Sequence, residues 1–426
     1  MVIQNANMNT PYEPLGQVKT SGLFTINQDT PWQRPSLTGN GELVTAFGPT
    51  GYHTEQPIPS MQVFALAGRR TKAVTRPLVR FGQIRRTLEV AGSPSEPLTW
   101  NQAIRPLEGV IVTALEHARI QEETLSFVCL DTNAAIFKTR IYNKGYSTVN
   151  VRFSVNYRFG DWEGNIPEGT LLAPSAEPER NGASIYFEVE KEHAGKVELL
   201  ADRPALIRAE GTELELTWTV SLEPGQADVF TIQWSIGDKR SFRYSDKRWS
   251  FEERFTHHKY GWKEFMNGSS LEIPDERLMA LRQMCLYSLR CNATKWSIPP
   301  LVSPSQWEGR TFHDELYAYL GLASSGHADL ARNIPNYRLN SLQQARERSA
   351  WKGAKFAWES TEDGGDGSPY GPWLEEHFHM GQIAETAWNH CNYMGGNWCS
   401  GSVLPAVQGD SRLLHAEFST VGRQGS

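Results

Sequence analysis

Alternation of apolar and polar residues dominates the first half of the chain. From Val149 to Phe159 every odd position is apolar and every even one is polar, and residues 213–222 and 230–236 repeat the pattern. Successive side chains of a strand point to opposite faces, so each segment predicts a strand with one buried and one solvated face. Such strands are typical of antiparallel sheets. Residues 1–237 are therefore predicted to form a large antiparallel β-sandwich.

The pattern changes after Gly237, where the two-residue period ends. Residues 238–274 are charged and aromatic, and we expect them to form a linker that packs against another part of the protein. The sequence Pro274-Asp275-Glu276 then predicts a helix start. The apolar residues that follow at helical spacing are Leu278, Leu281, Cys285 and Leu289.

Further helices are predicted over residues 314–322, 328–348 and 376–394, and Pro335 is expected to break or kink the second of these. The apolar stripe predicted for the last helix contains Met380, Ile383, Ala384, Ala387, Trp388 and Cys391. Helices that carry long loops to one rim are typical of an α/α barrel. The chain is therefore predicted to be a multidomain protein, β first and α second.

Composition and charge exclude several classes of partner. The net charge of -6 is small and both signs are mixed along the chain, which indicates neither nucleic acid nor an anionic membrane as a partner. The N-terminus lacks the features of a secretory signal, and no apolar run approaches ~20 residues, so a cytoplasmic location is expected. The five cysteines lack a CxxC spacing, which argues against a disulfide framework or a structural zinc site.

Tryptophan is the most biased residue type in the chain. The chain has 14 tryptophans, and nine of them lie between Trp249 and Trp398. Indole rings provide large flat apolar faces, and the C–H faces of sugar rings stack on such surfaces. An ordinary core role is the alternative for any single tryptophan. Carbohydrate chemistry is therefore expected in residues 307–360, where aromatic, acidic and basic residues are dense.

Two loops in this stretch carry the candidate residues. In the first, residues 307–315, Asp314 stands where a helix is predicted to begin. Its carboxylate can cap the helix or accept hydrogen bonds from sugar hydroxyls. In the second, residues 351–367, Trp358 and Glu359 precede a glycine-rich acidic segment. This pair would place a stacking face beside a hydrogen-bond acceptor.

Two metal sites are weaker alternatives. His377, His379 and His390 provide ligand chemistry, but no HExxH spacing accompanies them. The acidic loop could bind Ca²⁺, but the EF-hand spacing and its terminal glutamate are absent; its acidic residues are Glu362, Asp363 and Asp366. Neither a metal nor a cofactor is predicted.

The order of these motifs resembles glycoside hydrolase family 65, which contains disaccharide phosphorylases and some trehalases. The resemblance rests on these segments, in order: residues 309–315, Ala331-Arg332-Asn333, Tyr337-Arg338, Leu342 with Ala345-Arg346, Lys352-Gly353-Ala354 and residues 356–360. It implies an N-terminal β-(super)sandwich, a helical linker over 238–274 and an (α/α)₆ barrel beginning near residue 275. It also implies an inverting reaction on an α-glucoside such as maltose, trehalose or kojibiose, with inorganic phosphate as co-substrate in a phosphorylase.

The resemblance also implies roles for individual residues. Asp314 matches the family's aspartate that contacts the non-reducing glucose, and Trp358 and Glu359 match residues lining the same subsite. The other substrate-binding residues expected from these motifs are Phe312, His313 and Lys352. His313 stands where the family usually has tryptophan, and Ala357 replaces the usual proline.

The resemblance ends after Trp398, so an incomplete barrel over 275–398 and an irregular tail over 399–426 are expected. The family's general acid is a glutamate in a later barrel loop, and we therefore assign no catalytic residue within this chain. The expectation is a truncated family member that retains the glucose-binding part of the site. The alternatives are a non-catalytic sugar-binding or inert fragment and a relative of another (α/α)₆ family such as the glucoamylases. A homodimer is expected in the intact family, and association through exposed helix faces is expected here.

Overall fold

The computed structural model describes residues 25–27, 35–54, 62–67, 79–238, 250–299, 309–349 and 353–394. Within these residues the first part of the chain forms three sheets in which all neighbouring strands are antiparallel. This confirms the predicted antiparallel, sheet-rich first half.

The strands are β1 Thr25–Asn27, β2 Ser36–Gly39, β3 Leu43–Phe47, β4 Ala65–Leu66, β5 Val79–Arg80, β6 Gln83–Val90, β7 Ser93–Pro94, β8 Thr99–Arg105, β9 Val110–Glu116, β10 Ile120–Val128, β11 Ala134–Asn143, β12 Val149–Arg158, β13 Leu171–Glu177, β14 Gly182–Val189, β15 His193–Ala201, β16 Leu206–Glu210, β17 Glu213–Leu222 and β18 Ala227–Asp238. The largest sheet has the order β1-β8-β9-β10-β11-β18-β15-β14-β13. A second has the order β16-β17-β12-β6-β7, and a third has β2-β3-β4-β5.

The core lies between the sheets and is rich in aromatic rings. Phe153 on β12 lies 4.9 Å from Phe230 on β18 between ring centroids, which joins the second sheet to the first. Phe64, which immediately precedes β4, stacks on Trp234 of β18 with a centroid distance of 3.8 Å. The third sheet therefore packs on the same face of the largest sheet as the second sheet does. The odd positions of β12 are buried as the alternation predicts, because they face this core.

The turns between strands use the residues that the sequence indicates. The side chain of Asn143 accepts a hydrogen bond from the Gly145 amide at 2.9 Å, which closes the turn between β11 and β12. The Gln226 amide donates to the Glu223 carbonyl at 3.0 Å, and Gly225 between them has a positive φ of 78°. Local turn chemistry and strand alternation thus agree in this part of the chain.

The helices that follow are α1 Phe251–Met266, α2 Glu276–Asn292, α3 Glu315–Ser324, α4 Ala328–Ala331, α5 Asn333–Asn340, α6 Leu342–Arg348 and α7 His379–Met394. In α1, Ser250 and Glu253 form a capping box, and Trp262 is fully buried against the largest sheet. A Cβ at Gly109 would lie 1.8 Å from the Trp262 indole nitrogen, so only glycine allows this contact. The helix expected in the linker therefore covers the sheet.

Two predicted helix faces are wrong in part. On α2, Leu278 and Leu281 are about half exposed, at 50% and 53%, and Cys285 is also exposed. The buried face instead carries Ala280, Leu286, Tyr287 and Cys291. The reason is the neighbour that α2 meets: Tyr287 donates a hydrogen bond to the Leu37 carbonyl of β2 at 2.7 Å.

On α7, Met380, Ile383 and Ala387 are buried as predicted, but Trp388 is 56% exposed. Pro335 lies in the first turn of α5, where a missing backbone N–H costs no hydrogen bond. The helical pattern over 328–348 is divided into α4, α5 and α6, and the first division, at Arg332, lies just before the turn that contains Pro335. Among the described helices, none combines the length and the apolar character that a membrane crossing requires.

Candidate functional site

The two motif loops lie side by side. The Thr311 amide donates to the Ser360 carbonyl at 3.0 Å, and the Ser360 amide donates back to the Thr311 carbonyl at 2.8 Å. This two-way pairing places the residues around 312–315 next to the residues around 357–359. The sequence motifs, about 50 residues apart in the chain, therefore form one region of the surface.

Asp314 immediately precedes α3 and makes no side-chain cap hydrogen bond, because its backbone already has helical angles. Its carboxylate oxygen instead lies 3.2 Å from His313 Nε2, and its side chain is 37% exposed. Of the two roles open to this residue from sequence, the cap is therefore excluded. An accessible carboxylate at a rigid helix start can accept hydrogen bonds from a hydroxylated ligand.

Trp358 is enclosed by aromatic rings and is only 9% exposed. His313 stacks on it with a centroid distance of 4.9 Å, and Trp373 lies nearly parallel to it at 6.0 Å. Phe312 and Phe378 approach it at tilted angles, at 5.9 and 5.5 Å. Because these rings cover the indole, Trp358 supports the surface rather than offering a full face to solvent.

The exposed aromatic rings of this region belong to the segment before α7. Trp373, in a short 3₁₀ turn over Pro372–Glu375, is 47% exposed, and Phe378 is 53% exposed. Phe378 also contacts His313 at a centroid distance of 5.4 Å, which places it close to the residue that pairs with Asp314. These two rings provide accessible apolar faces beside an acceptor carboxylate.

Glu359 is almost fully buried and pairs with Arg310. Arg310 Nε lies 2.7 Å from the Glu359 carboxylate, and Arg310 Nη1 donates to the Gly367 carbonyl at 2.9 Å. Burial raises the pKa of the Glu359 carboxyl above its ordinary value; Arg310 opposes the shift and Asp366 adds to it. The carboxylate is thus held in one orientation by a cation that the motif places in the other loop.

A second buried ion pair lies behind the loops. Arg338 on α5 donates through Nε to Glu315 at 2.7 Å and through Nη1 to the Ser360 hydroxyl at 2.9 Å. Thr311 donates to the other Glu315 oxygen at 3.0 Å. Burial opposes the charge of Arg338, but the Glu315 carboxylate outweighs it and raises the pKa of the guanidinium.

The histidines considered as metal ligands have other contacts. His379 Nε2 donates to the Ala357 carbonyl at 3.2 Å, and burial lowers the pKa of this imidazole to about 3. His390 Nδ1 lies 3.3 Å from the Tyr319 hydroxyl. In the described part of the chain no three His, Cys, Asp or Glu side chains are placed to hold one metal ion.

The acidic loop uses its carboxylates to stabilise its own turns. Asp363 accepts from the Thr361 hydroxyl at 2.6 Å and from the Gly365 amide at 3.1 Å. Asp366 accepts from the Ser368 amide at 2.9 Å. These contacts fix the backbone that follows Glu359.

The structure brings together five of the six expected substrate-binding residues: Phe312, His313, Asp314, Trp358 and Glu359. Lys352 lies outside the described residues. The sequence interpretation missed the roles of Arg310, Glu315 and Arg338. A signal was present, because Glu315 lies on the same stripe of α3 as the buried Tyr319 and Leu322, and a charge on an apolar stripe indicates a buried partner.

Comparison with known proteins supports the resemblance that the motifs indicate. A kojibiose hydrolase from Mucilaginibacter mallensis is 28% identical over 130 residues, which cover 29% of this chain and 19% of that protein. This chain is similar to glycoside hydrolase family 65. No protein-family model matches the sequence.

Solved structures show the same fold. A structure described as a kojibiose phosphorylase from the human microbiome has a TM-score of 0.67 at 10% identity, over 86% of this chain and 56% of that one. A bacterial glucoamylase in complex with acarbose has a TM-score of 0.51 at 9% identity, over 90% of this chain and 60% of that one. The matched region makes up less than two thirds of each of these three proteins.

Proposed function

We propose that the chain is a carbohydrate-active protein that resembles the inverting α-glucoside phosphorylases and hydrolases. Its ligand would be a glucose disaccharide of the maltose, trehalose or kojibiose type. The sequence similarity to a kojibiose hydrolase and the shared fold support this class of ligand. The partial (α/α)₆ barrel over residues 275–398 belongs to the same proposal.

The observation that carries the proposal is the state of Asp314. Asp314 lies at the start of α3, but its carboxylate does not cap the helix. The carboxylate stays accessible and lies 3.2 Å from His313 Nε2. Carboxylate oxygens accept hydrogen bonds from sugar hydroxyls, and in this proposal Asp314 accepts them from the non-reducing glucose. Trp373 and Phe378 supply the exposed rings on which the apolar face of a pyranose can pack.

The other motif residues hold the site together or complete it. We expect His313, Phe312 and Trp358, which contact one another, to form the aromatic layer beneath the glucose. We expect Glu359 to contribute to the same subsite while it stays paired with Arg310. Lys352 is assigned to the same subsite from its position in the second motif. No metal or cofactor is assigned to the proposed site.

The proposed reaction cleaves a glycosidic bond with inversion of configuration at the anomeric carbon. A carboxylic acid protonates the glycosidic oxygen while phosphate, or water activated by a second carboxylate, attacks from the opposite face. We propose that the described residues bind the glucose, and we assign the role of general acid to none of them. The alternative within this proposal is a sugar-binding protein without turnover.

Calorimetric titration of the full chain with maltose, trehalose and kojibiose tests the proposal. We expect binding of at least one sugar and a loss of about tenfold or more in Asp314→Asn, since one charged acceptor is removed from a hydroxyl. Asp329→Asn is the matched control, because Asp329 is also near a helix start but is 92% exposed and pairs with the half-exposed Arg332. Equal affinities in the wild type and Asp314→Asn would contradict the role of Asp314 as an acceptor of hydrogen bonds from the glucose.

Turnover separates the two alternatives. The purified chain is incubated with each sugar, with and without inorganic phosphate, and glucose and glucose 1-phosphate are measured. Steady release of either product supports an enzyme, and binding without release supports a sugar-binding protein. The cytoplasmic location, the homodimer of the intact family and association through exposed helix faces remain predictions, the last of which light scattering tests.

A further inference from the structure

Four buried side chains form a closed ring of hydrogen bonds behind the proposed glucose site. Arg338 donates to Glu315 and to Ser360, Thr311 donates to Glu315, and the backbones of Thr311 and Ser360 pair in both directions. Each of the four residues is at most 3% exposed. Breaking one of these buried hydrogen bonds would leave a charged or polar group without that partner, which is costly, so the ring permits little relative movement of its members.

Three members of the ring are chain neighbours of the charged residues of the site. Thr311 follows Arg310, Glu315 follows Asp314, and Ser360 follows Glu359. Fixing a residue restricts the backbone on either side of it. The ring therefore fixes the backbone positions from which those three charged side chains extend. Arg338, on a different helix, is the member that joins the α3 side of the ring to the second loop.

The chemistry of the ring requires an arginine at this point. Ser360 has one hydroxyl proton and gives it to the Ala357 carbonyl at 2.9 Å, so it meets Arg338 as an acceptor. Glu315, as a carboxylate, is also an acceptor. A guanidinium supplies two rigidly oriented donors to the two acceptors, whereas a lysine ammonium supplies donors from a single flexible point.

We infer that Arg338 is a positioning residue that fixes the relative geometry of Asp314 and Glu359 in the proposed glucose site. The inference rests on the proposed function for its ligand, and on the hydrogen-bonded ring for its mechanism. Arg338 lies behind the paired loops and acts through Glu315 and Ser360.

Affinity for sugar is the first test, made with Arg338→Lys and with Ser360→Ala. Ser360→Ala removes the hydroxyl that accepts a hydrogen bond from Arg338. It is the milder change, so it remains a usable test if Arg338→Lys does not fold. The matched control is Arg86→Lys, which alters another buried ion pair, Arg86 to Glu122 at 3.1 Å, within the sheets. At a temperature where all variants are folded, we expect about tenfold weaker binding in the two ring variants and wild-type binding in Arg86→Lys.

Hydrogen exchange read by mass spectrometry supplies a test that needs no ligand. In the ring variants we expect faster exchange in residues 309–315 and 357–368 together, with unchanged exchange in the sheets. Arg86→Lys should show the reverse. Folded ring variants with wild-type affinity and wild-type exchange would overturn the inference, and so would equal loss of affinity in Arg86→Lys.

The two proposals fail in different ways. A wild-type chain that binds none of the three sugars overturns the proposed function. The exchange pattern then still decides whether Arg338 fixes the two loops, because joint loosening of both segments supports the positioning role and its absence refutes it.

Discussion

The sheets and the helical region around the site differ in the interaction that dominates, although the sheets also contain a buried ion pair, Arg86 with Glu122. In the sheets, backbone hydrogen bonds join strands both near and far in the chain, as in β10 with β11 and β11 with β18. The core between them is aromatic and aliphatic, as in the stack of Phe64 on Trp234. Around the site, the loops are joined by buried charges, in the pairs Arg310 with Glu359 and Arg338 with Glu315. Apolar burial is non-directional, whereas buried ion pairs demand particular geometry. The first kind suits a scaffold, and the second suits a site that must orient acceptors.

The largest expected difference concerns one buried tryptophan in each region. Trp234→Ala removes a fully buried ring from the sheet core and should lower the free energy of unfolding by about 4 kcal/mol. Trp358→Ala should cost less, about 2–3 kcal/mol, because the half-exposed Trp373 and Phe378 can move into the space. Urea unfolding of both variants measures the two values. A larger loss in Trp358→Ala would show that the site region is packed as rigidly as the core.

The cost of removing one partner should differ between a buried ion pair beside the site and an exposed ion pair on the sheets. Glu315→Gln leaves the buried charge of Arg338 without its carboxylate and should lower the free energy of unfolding by about 3 kcal/mol. Glu252→Gln removes the partner of Lys138 at a solvated position, and we expect a change below about 1 kcal/mol. Thermal or urea unfolding gives both numbers. Equal costs would contradict the view that burial makes the site pair important.

Two buried histidines, His258 on the helix that covers the sheets and His379 beside the site, predict an acid dependence of stability. Burial lowers the pKa of His258, which donates to the Gly109 carbonyl, and of His379 to about 3. The unfolded imidazoles bind protons below about pH 6.5, while the folded ones stay neutral until about pH 3. Stability is therefore full above pH 6.5 and falls by about 1.4 kcal/mol per pH unit for each histidine as the pH drops through this window.

The variants His258→Gln and His379→Gln test this dependence separately, since each glutamine keeps an N–H donor for the carbonyl but does not titrate. We expect each to reduce the slope of unfolding free energy against pH, measured between pH 6.5 and 4.5, by one proton. An unchanged slope in either variant would show that the corresponding imidazole becomes charged in the folded protein.

The smallest effect distinguishes two aspartates at two helix starts. Asp275 accepts from the Arg277 amide at 2.8 Å and caps α2, so Asp275→Ala should cost about 1 kcal/mol. Asp314 makes no cap bond, and Asp314→Ala should change the free energy of unfolding by less than about 0.5 kcal/mol. Loss of sugar binding without loss of stability in the Asp314 variant would separate function from folding. A cost equal to that of Asp275→Ala would restore the capping role.

Prediction from sequence succeeds where the partner of a residue is near in the chain. The strands β12 and β17 and the turn at Asn143 were predictable because alternation and turn chemistry are local. The exposed face of α2 was not, because Tyr287 and Cys291 pack on β2, some 250 residues earlier. For the site, the motifs identified Asp314, Trp358 and Glu359, yet the enclosure of Trp358 by Trp373 and Phe378 depends on a segment outside both motifs.

Sequence patterns are sufficient to predict the antiparallel strands, the starts of several helices and the residues from which the candidate site is made. These depend on periodicity, on backbone preferences and on residue type, all of which are properties of short segments. Only contacts between distant segments show which face of α2 is buried, that Asp314 is accessible while Glu359 is held by Arg310, and that Arg338 connects the two loops. The physical reason is that burial and ion pairing are relations between distant segments, and no pattern within one segment states which partner it will meet.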